Sequence, residues 1–149
     1  MRILMVCLGN ICRSPLAEGI MRDLITSKGL DWTVDSAGTG SWHVDQPPDG
    51  RSIAIAAKYG LDITDQRARQ FHYPDFDQFD VIFAMDRANY NDVSRQAINA
   101  EERSKIRLIL EETGAGRKDV PDPYWDDNGF DKVYHMLKKA CEQYVADNS

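Results

Sequence analysis

The sequence predicts an α/β fold in which helices cover both faces of a parallel sheet. Two observations lead to this prediction: short apolar segments alternate with segments of helical periodicity, and the strand-like segments have no polar face. Such strands are typical of parallel sheets that are buried on both sides. A chain of 149 residues suffices for one domain of this kind, so we expect a single three-layer domain over residues 1–149. Ligands of such sheets bind at the carboxyl ends of the strands.

The first strand and the first helix have the clearest patterns. Arg2–Cys7 is nearly all apolar and is followed by a Gly-Asn pair, which predicts a buried strand ending in a loop. Apolar residues then recur with helical spacing over 16–25. Ser14 suits the N-cap of this helix, Pro15 its first position and Gly29 the residue just past its end.

The remaining elements follow from the same two patterns. In chain order we expect a strand over 32–37, a helix over 52–59, a strand over 79–85, a helix over 89–98, a strand over 105–110 and a terminal helix with an apolar stripe over 130–141. Strands alternating with helices in this way predict a parallel sheet that is covered on both sides.

The segment between the first strand and the first helix is the strongest functional pattern. Arg13 follows Cys7 by six positions, and the five residues between them can curl until their backbone N–H groups converge on one point. The N-terminus of the helix aims at the same point, which makes a site for a tetrahedral oxyanion. Gly9 and Asn10 tolerate the left-handed backbone angles that such a curl needs. We therefore predict a phosphate-binding loop that joins Cys7 and Arg13 to Leu8, Gly9, Asn10, Ile11, Cys12 and Ser14.

These residue types suit a nucleophilic attack on phosphorus. Arg13 can bind two phosphate oxygens, and together with the loop N–H groups and the helix end it would stabilise Cys7 as a thiolate. Ser14 could donate its hydroxyl to that thiolate and stabilise it again as a leaving group. In isolation, Cys7 is better interpreted as a small buried residue and Arg13 as a surface charge. The complete strand–loop–helix run favours the phosphate site.

Composition and charge argue against several other classes of function. Lys plus Arg number 18 and Asp plus Glu 24, and a net charge of −6 disfavours nucleic acid or anionic lipid as the main partner. The longest apolar run near the start is far too short for membrane insertion, and no signal peptide is expected. Three cysteines, an odd number, favour free thiols in a cytoplasmic protein. His43, His72 and His135 show no ligand spacing, so we expect no metal and no other cofactor.

Residues 6–15, Val-Cys-Leu-Gly-Asn-Ile-Cys-Arg-Ser-Pro, resemble the signature of the low-molecular-weight protein tyrosine phosphatases. Segments 35–39, 84–86 and 121–124 follow in the order and spacing of that family, so the resemblance extends over essentially the entire chain. It implies a cytoplasmic protein with a four-stranded parallel sheet, a phosphocysteine intermediate and no metal. Its partners would be tyrosine-phosphorylated proteins. The oligomeric state stays open.

The resemblance identifies Asp122 as the general acid. A tyrosyl oxygen leaves more easily when it is protonated as the P–O bond breaks, and the same carboxylate could then activate water. Without the resemblance, Asp119 or Asp126 could equally take this role. The family places the walls of its substrate cleft at three aromatic positions, which here are Trp42, Tyr124 and Trp125. The polar surroundings of Trp42 predict that this side chain is exposed.

Other matches concern residues that support the loop. Asn10, Ser14 and Ser36 match family positions that hydrogen-bond together and hold the loop in shape. Gln66 stands where the family often has a histidine in this network. An amide could supply similar hydrogen bonds without titrating, so the pH behaviour of the family does not transfer with the mechanism.

The two other cysteines have different expected roles. Cys12 could form a disulfide with an oxidised Cys7 and so protect the nucleophile, or it could simply pack within the loop. Both interpretations of Cys12 stay open. Cys141 lies on the apolar stripe of the terminal helix, which predicts a core position.

Three alternative functions can be weighed on the sequence. Arsenate reductases can share this fold, but the thioredoxin-coupled type needs additional cysteines, and residues 79–99 contain none. Protein-arginine phosphatases of the same fold carry threonine at the position of Ile11, so isoleucine there favours tyrosine substrates. A non-catalytic phosphoprotein-binding module would be free to lose its nucleophile or its acid, whereas Cys7, Arg13 and Asp122 are all present.

Overall fold

The computed structural model describes residues 1–114, 116 and 118–149, which form an α/β domain around a four-stranded parallel sheet. The strands are β1 (Arg2–Cys7), β2 (Thr33–Gly38), β3 (Val81–Ala84) and β4 (Ile106–Leu108), in the spatial order β2-β1-β3-β4. Every strand pair is parallel. The predicted fold class is therefore confirmed.

Helices occupy the connections between the strands. They are α1 (Arg13–Ser27), α2 (Gly50–Lys58), α3 (Asp75–Gln78), α4 (Arg87–Ser94), α5 (Ala100–Ser104) and α6 (Gly129–Asn148), with short 3₁₀ turns at Ile109–Thr113 and Pro123–Trp125. In the described part of the chain these helices are too short or too polar to span a bilayer.

The two faces of β1 belong to two different cores. Because side chains alternate across a strand, Ile3, Met5 and Cys7 point to one face and Leu4 and Val6 to the other. The first face packs against α1 and α6, and the second packs against Phe71, Phe76 and Val93. All five residues are fully or almost fully buried, as a strand covered on both sides requires.

Element boundaries differ from the prediction by a few residues. Helix α1 begins at Arg13 rather than at Pro15, and Cys12 rather than Ser14 takes its N-cap position, because the Ser14 hydroxyl is used inside the site. Helix α2 begins at Gly50, where the carboxylate of Asp49 caps it by accepting a hydrogen bond from the N–H of Arg51. The end of α1 is as predicted, since Gly29 follows it with a φ of 62°.

Three further differences are larger. The expected strands over 79–85 and 105–110 shorten to β3 and β4, and a 3₁₀ turn takes the residues after Leu108. The expected helix over 89–98 ends at Ser94. The short helices α3 and α5 were not predicted, because elements of four or five residues carry no readable periodicity.

The carboxyl ends of the strands bring three loops together. The N–H groups of Thr39 and Gly40 donate to the carbonyls of Cys7 and Leu8, both at 2.9 Å. On the other side of β1, the Met85 carbonyl accepts from the N–H of Val120 at 2.8 Å. The loops after β1 and β2 and the segment before residue 121 therefore meet at one edge of the sheet.

Candidate active site

The loop after β1 curls around the sulfur of Cys7. The backbone N–H of Asn10 points at Cys7 Sγ from 3.3 Å, and the Ser14 hydroxyl lies 3.0 Å from the same atom. The left-handed conformation falls on Asn10, at φ 57°, and not on Gly9. A glycine is needed below the loop, because a Cβ on Gly38 would lie 2.8 Å from the carbonyl oxygen of Leu8. The loop therefore curls as predicted, with the Asn10 N–H aimed at the sulfur.

A buried amide fixes the direction of the hydrogen bonds at this sulfur. Asn10 Nδ2 donates to Ser14 Oγ at 2.8 Å and to Ser36 Oγ at 3.0 Å, and its Oδ1 accepts from the N–H of Arg69 at 3.0 Å. Because Ser14 Oγ already accepts from Asn10, its own proton is available to Cys7. When Cys7 is a thiolate, which has no proton to donate, Ser14 is the donor to the sulfur. The structure thus brings Asn10, Ser14 and Ser36 together.

Glu18 ends this network, and the sequence analysis did not identify it. Ser36 Oγ donates to Glu18 Oε1 at 2.7 Å, and Arg22 pairs with the other oxygen of the carboxylate. Burial raises the pKa of Glu18 to about 7, although the Ser36 hydrogen bond and Arg22 oppose the shift. The available signal was its position one helical turn after Ser14, which places a carboxylate on the site face of α1.

The guanidinium group of Arg13 is held in place by hydrogen-bond acceptors from two other segments. Its Nη1 donates to Asp86 Oδ2 at 2.6 Å and to the Val120 carbonyl at 3.0 Å, while its Nη2 lies 3.8 Å from Asp122 Oδ2. Burial disfavours the charge, but the negative charges of Cys7, Asp86 and Asp122 outweigh it and raise the pKa of Arg13. Asp86 belongs to a segment that carried the family resemblance, yet its contact with Arg13 was not predicted.

Asp122 lies on residues 121–128, which we call the acid loop. Its Oδ1 accepts from the N–H of Tyr124 at 3.1 Å, which turns Oδ2 towards Arg13. The other two aspartates considered above point elsewhere: Asp119 accepts from the N–H of Arg87 at 2.9 Å, and Asp126 accepts from the N–H of Asn128 at 3.0 Å. Asp122 lines the cavity above Cys7.

The cavity has a polar base and aromatic walls. Its volume is about 300 Å³, and its walls include Leu8, Ile11, Trp42, His43, Tyr124 and Trp125. Trp42 is 70% exposed, as predicted, and Trp125 is 88% exposed. The rings of Tyr124 and Trp125 meet edge to face at 4.8 Å. His43 was not predicted here; its ring lies beside Gly9, where a Cβ would come within 3.0 Å of it.

The other two thiols are buried, and all three cysteines are free. Burial, followed by the charge of Asp49, raises the pKa of Cys12 to about 12. Burial has the same effect on Cys141, whose pKa is also about 12 and which lies in the core as predicted. Both thiols are therefore protonated at neutral pH.

Gln66 supports the start of α1 rather than the hydroxyl network. Its Nε2 donates to the carbonyl of Pro15 at 3.1 Å, and its Oε1 has no hydrogen-bond partner within the described residues. Over these same residues, His, Cys, Asp and Glu side chains form no group of three or more that could hold a metal ion.

Comparison with known proteins agrees with this geometry. The family described as low molecular weight phosphotyrosine protein phosphatase matches residues 2–148. The chain is 42% identical over 147 residues to the low molecular weight protein-tyrosine-phosphatase YfkJ of Bacillus subtilis, which covers 97% of this chain and 93% of the relative.

Two solved structures are also closely similar. A protein tyrosine phosphatase from Entamoeba histolytica, with Hepes in its active site, has a TM-score of 0.92 and 37% identity over 99% of this chain and 96% of its own. An arginine phosphatase from Drosophila has a TM-score of 0.93 and 35% identity over 100% of this chain and 99% of its own.

Proposed function

The chain belongs to the low molecular weight phosphotyrosine protein phosphatase family, and on that basis we propose that it hydrolyses phosphotyrosine on proteins, and small aryl phosphates. The observation that carries this proposal is the position of Cys7 Sγ, which receives hydrogen bonds from Ser14 and Asn10 at the base of a cavity. Arg13 and Asp122 line the same cavity. A cytoplasmic location, expected from the free thiols, belongs to the same proposal.

The first chemical step transfers the phosphoryl group to sulfur. The loop N–H groups and Arg13 bind the phosphate oxygens, which aligns phosphorus with Cys7 Sγ. The sulfur attacks phosphorus while the bond to the tyrosyl oxygen breaks, and the electron pair leaves with that oxygen. Asp122 donates a proton to the oxygen, so tyrosine leaves as a neutral phenol.

The second step returns the thiolate. The carboxylate of Asp122 takes a proton from water as the water oxygen attacks phosphorus. The S–P bond breaks, and its electron pair stays on Cys7, where the Ser14 hydroxyl and the Asn10 N–H stabilise the negative charge. Inorganic phosphate is released, and Asp122 is protonated again for the next cycle.

The walls of the cavity favour an aryl phosphate. Trp42, Tyr124 and Trp125 offer ring faces and edges to a substrate ring, and such contacts contribute roughly 0.5–1.5 kcal/mol for each aromatic pair. The apolar side chain of Ile11, which is only 9% exposed, lines the same cavity. A phosphorylated tyrosine ring therefore meets apolar surface along its length.

Trapping the intermediate tests this function. A ³²P-labelled aryl phosphate, quenched during turnover in alkaline dodecyl sulfate, should leave label on the protein as a phosphocysteine, whose S–P bond survives at alkaline pH. The label should be lost in Cys7→Ser and retained in Cys141→Ala, a control in the buried core. Turnover without any label on wild-type protein would contradict the mechanism.

A second candidate activity is the hydrolysis of phosphoarginine, since an arginine phosphatase has nearly the same fold over this whole chain. Ile11 argues for tyrosine, because isoleucine adds apolar surface where a threonine would add a hydroxyl. Two peptides that differ only in phosphotyrosine or phosphoarginine would decide between the activities. We expect the phosphotyrosine peptide to be hydrolysed more efficiently than the phosphoarginine peptide. The ratio between the two should be smaller in Ile11→Thr than in the wild-type protein.

A further inference from the structure

Arg51 lies outside the catalytic cavity, at the point where helix α2 approaches both functional loops. It is the second residue of α2, and its side chain is about one-third exposed. Its guanidinium group reaches from the start of this helix to the acid loop and to the first residues of α6. The two loops that must cooperate in catalysis thus meet around one side chain.

The start of α2 is attached to the phosphate-binding loop. The N–H of Asp49 donates to the carbonyl of Ile11 at 2.8 Å, and the Ser52 hydroxyl donates to the carbonyl of Cys12 at 3.2 Å. Asp49 also binds Arg51 in a bidentate manner, with both N–O distances at 3.0 Å. This pairing lowers the pKa of Asp49. Because the bidentate fork is rigid, the direction of the Arg51 side chain is set by the phosphate-binding loop.

The other end of Arg51 holds the acid loop. Its Nη1 donates to Asp127 Oδ1 at 2.5 Å, and its guanidinium carbon lies 5.4 Å from the ring centre of Tyr124 and 4.7 Å from that of Phe130. Distances of this size allow a cation–π attraction. The N–H of Tyr124 in turn orients Asp122. A continuous series of contacts therefore joins Ile11 to the catalytic carboxylate.

We propose that Arg51 is a positioning residue that fixes Asp122 relative to Cys7 by joining the acid loop to the phosphate-binding loop. This inference rests on the proposed function, since it concerns the delivery of a proton by Asp122. Its expected effect is on catalysis more than on stability. Asp127 is 82% exposed, and exposed ion pairs contribute little to folding, whereas a small displacement of a catalytic group costs much rate.

The test compares a poor and a good leaving group. Phenyl phosphate needs a proton on its leaving oxygen, whereas p-nitrophenyl phosphate needs it far less. We expect Arg51→Gln to lower kcat/KM by about tenfold for phenyl phosphate and by less than about threefold for p-nitrophenyl phosphate. The inhibition constant of inorganic phosphate should not change, because the phosphate-binding loop keeps its own contacts.

Further variants separate positioning from simple stabilisation. Asp127 is exposed, so Asp127→Asn should have little effect on folding. It should shift the ratio of kcat/KM for the two substrates in the same direction as Arg51→Gln. Arg51→Lys should recover part of the loss, since it restores the charge without the bidentate fork. Arg95→Gln is the matched control. It removes an exposed ion pair that also has an N–O distance of 2.5 Å, between Arg95 and Asp92 at the end of α4. It should keep the wild-type ratio.

The outcomes distinguish this inference from the proposed function. If Asp122→Asn changes the substrate ratio but Arg51→Gln and Asp127→Asn keep the wild-type ratio, the positioning role is wrong and the phosphatase function stands. If Arg51→Gln lost kcat/KM equally on both substrates and had a lower melting temperature, the role of Arg51 would be structural, and the positioning role would again be wrong. If the wild-type protein hydrolyses neither substrate, both proposals fall.

Discussion

Asp86 lies 2.6 Å from the guanidinium of Arg13 and does not itself line the cavity. The same carboxylate caps helix α4, because its other oxygen accepts from the N–H of Asn89 at 2.7 Å. One partly buried aspartate thus ties the orientation of Arg13 to the start of a helix. An arginine held in this way presents its remaining N–H groups to the substrate without first losing side-chain freedom.

Asp86→Asn tests the importance of this orientation. The amide oxygen can still cap α4, but the amide NH₂ faces Arg13 with a donor in place of an acceptor. Since a hydrogen bond to a charged group contributes about 1.5–3 kcal/mol, we expect kcat/KM for p-nitrophenyl phosphate to fall at least about tenfold. The inhibition constant of phosphate should rise. Asp92→Asn, on the same helix, is the control. Tighter phosphate binding by Asp86→Asn would show that the negative charge of Asp86 weakens phosphate binding more than its orientation of Arg13 strengthens it.

Ser14→Ala tests the donor at the sulfur. Without this hydroxyl, the thiolate that leaves in the second step loses one of its two described hydrogen bonds, so hydrolysis of the intermediate should slow. We expect kcat to fall about tenfold and the initial burst of phenol to approach one equivalent per protein. Ser27→Ala, at the far end of α1, should behave as wild type. A fall in kcat without a larger burst would place the effect of Ser14 on the first step.

The strand, loop and helix of the phosphate site could be predicted because they are contiguous. Residues 2–27 carry the apolar run, the Cys-to-Arg spacing and the helical periodicity within one short stretch, and the backbone alone brings them together. The position of Ser14 was only half predicted. Serine is a residue type that suits an N-cap, but here the Ser14 hydroxyl accepts a hydrogen bond from Asn10 Nδ2 at 2.8 Å and therefore points into the site.

Partners that come from distant segments could not be predicted from local pattern. Asp86 is brought to Arg13 by the order of the strands, and Arg51 is brought to the acid loop by the packing of α2; no periodicity in the sequence encodes either contact. Asp122 was chosen over Asp119 and Asp126 only through the family resemblance. In the structure, Asp119 accepts from the N–H of Arg87, Asp126 accepts from the N–H of Asn128 in its own loop, and neither aspartate lines the cavity.

Glu18 should make stability depend on pH. Its pKa rises from 4.5 to about 7 on folding, chiefly through burial, so the folded protein binds more protons than the unfolded chain between these values. Stability from this group is therefore fully present below pH 4.5 and is lost as the pH rises through 7. The loss amounts to about 3 kcal/mol. Arg22 opposes the shift, and Asp35 and Asp65 add to it.

Urea denaturation at several pH values measures this effect. The free energy of unfolding of wild type minus that of Glu18→Gln should fall as the pH is raised from 4.5 to 8, because the glutamine does not titrate. Other titrating groups cancel in the difference. Glu101→Gln, at an exposed position on α5, should show no such trend. A difference that is constant with pH would mean that folding leaves the pKa of Glu18 unchanged.

Alkylation should distinguish Cys7 from the two other thiols at neutral pH. The thiolate is the reactive form, and a pKa of about 12 leaves Cys12 and Cys141 almost wholly protonated, whereas Cys7 faces the hydrogen-bond donors of the loop. We expect iodoacetate to modify Cys7 alone, as read by peptide mass spectrometry. Inorganic phosphate should protect it. Because Arg13 attracts anions, iodoacetate should react faster than neutral iodoacetamide, relative to their rates with a free thiol. Equal modification of Cys7 and Cys12 would contradict the assignment of Cys7 as the activated sulfur.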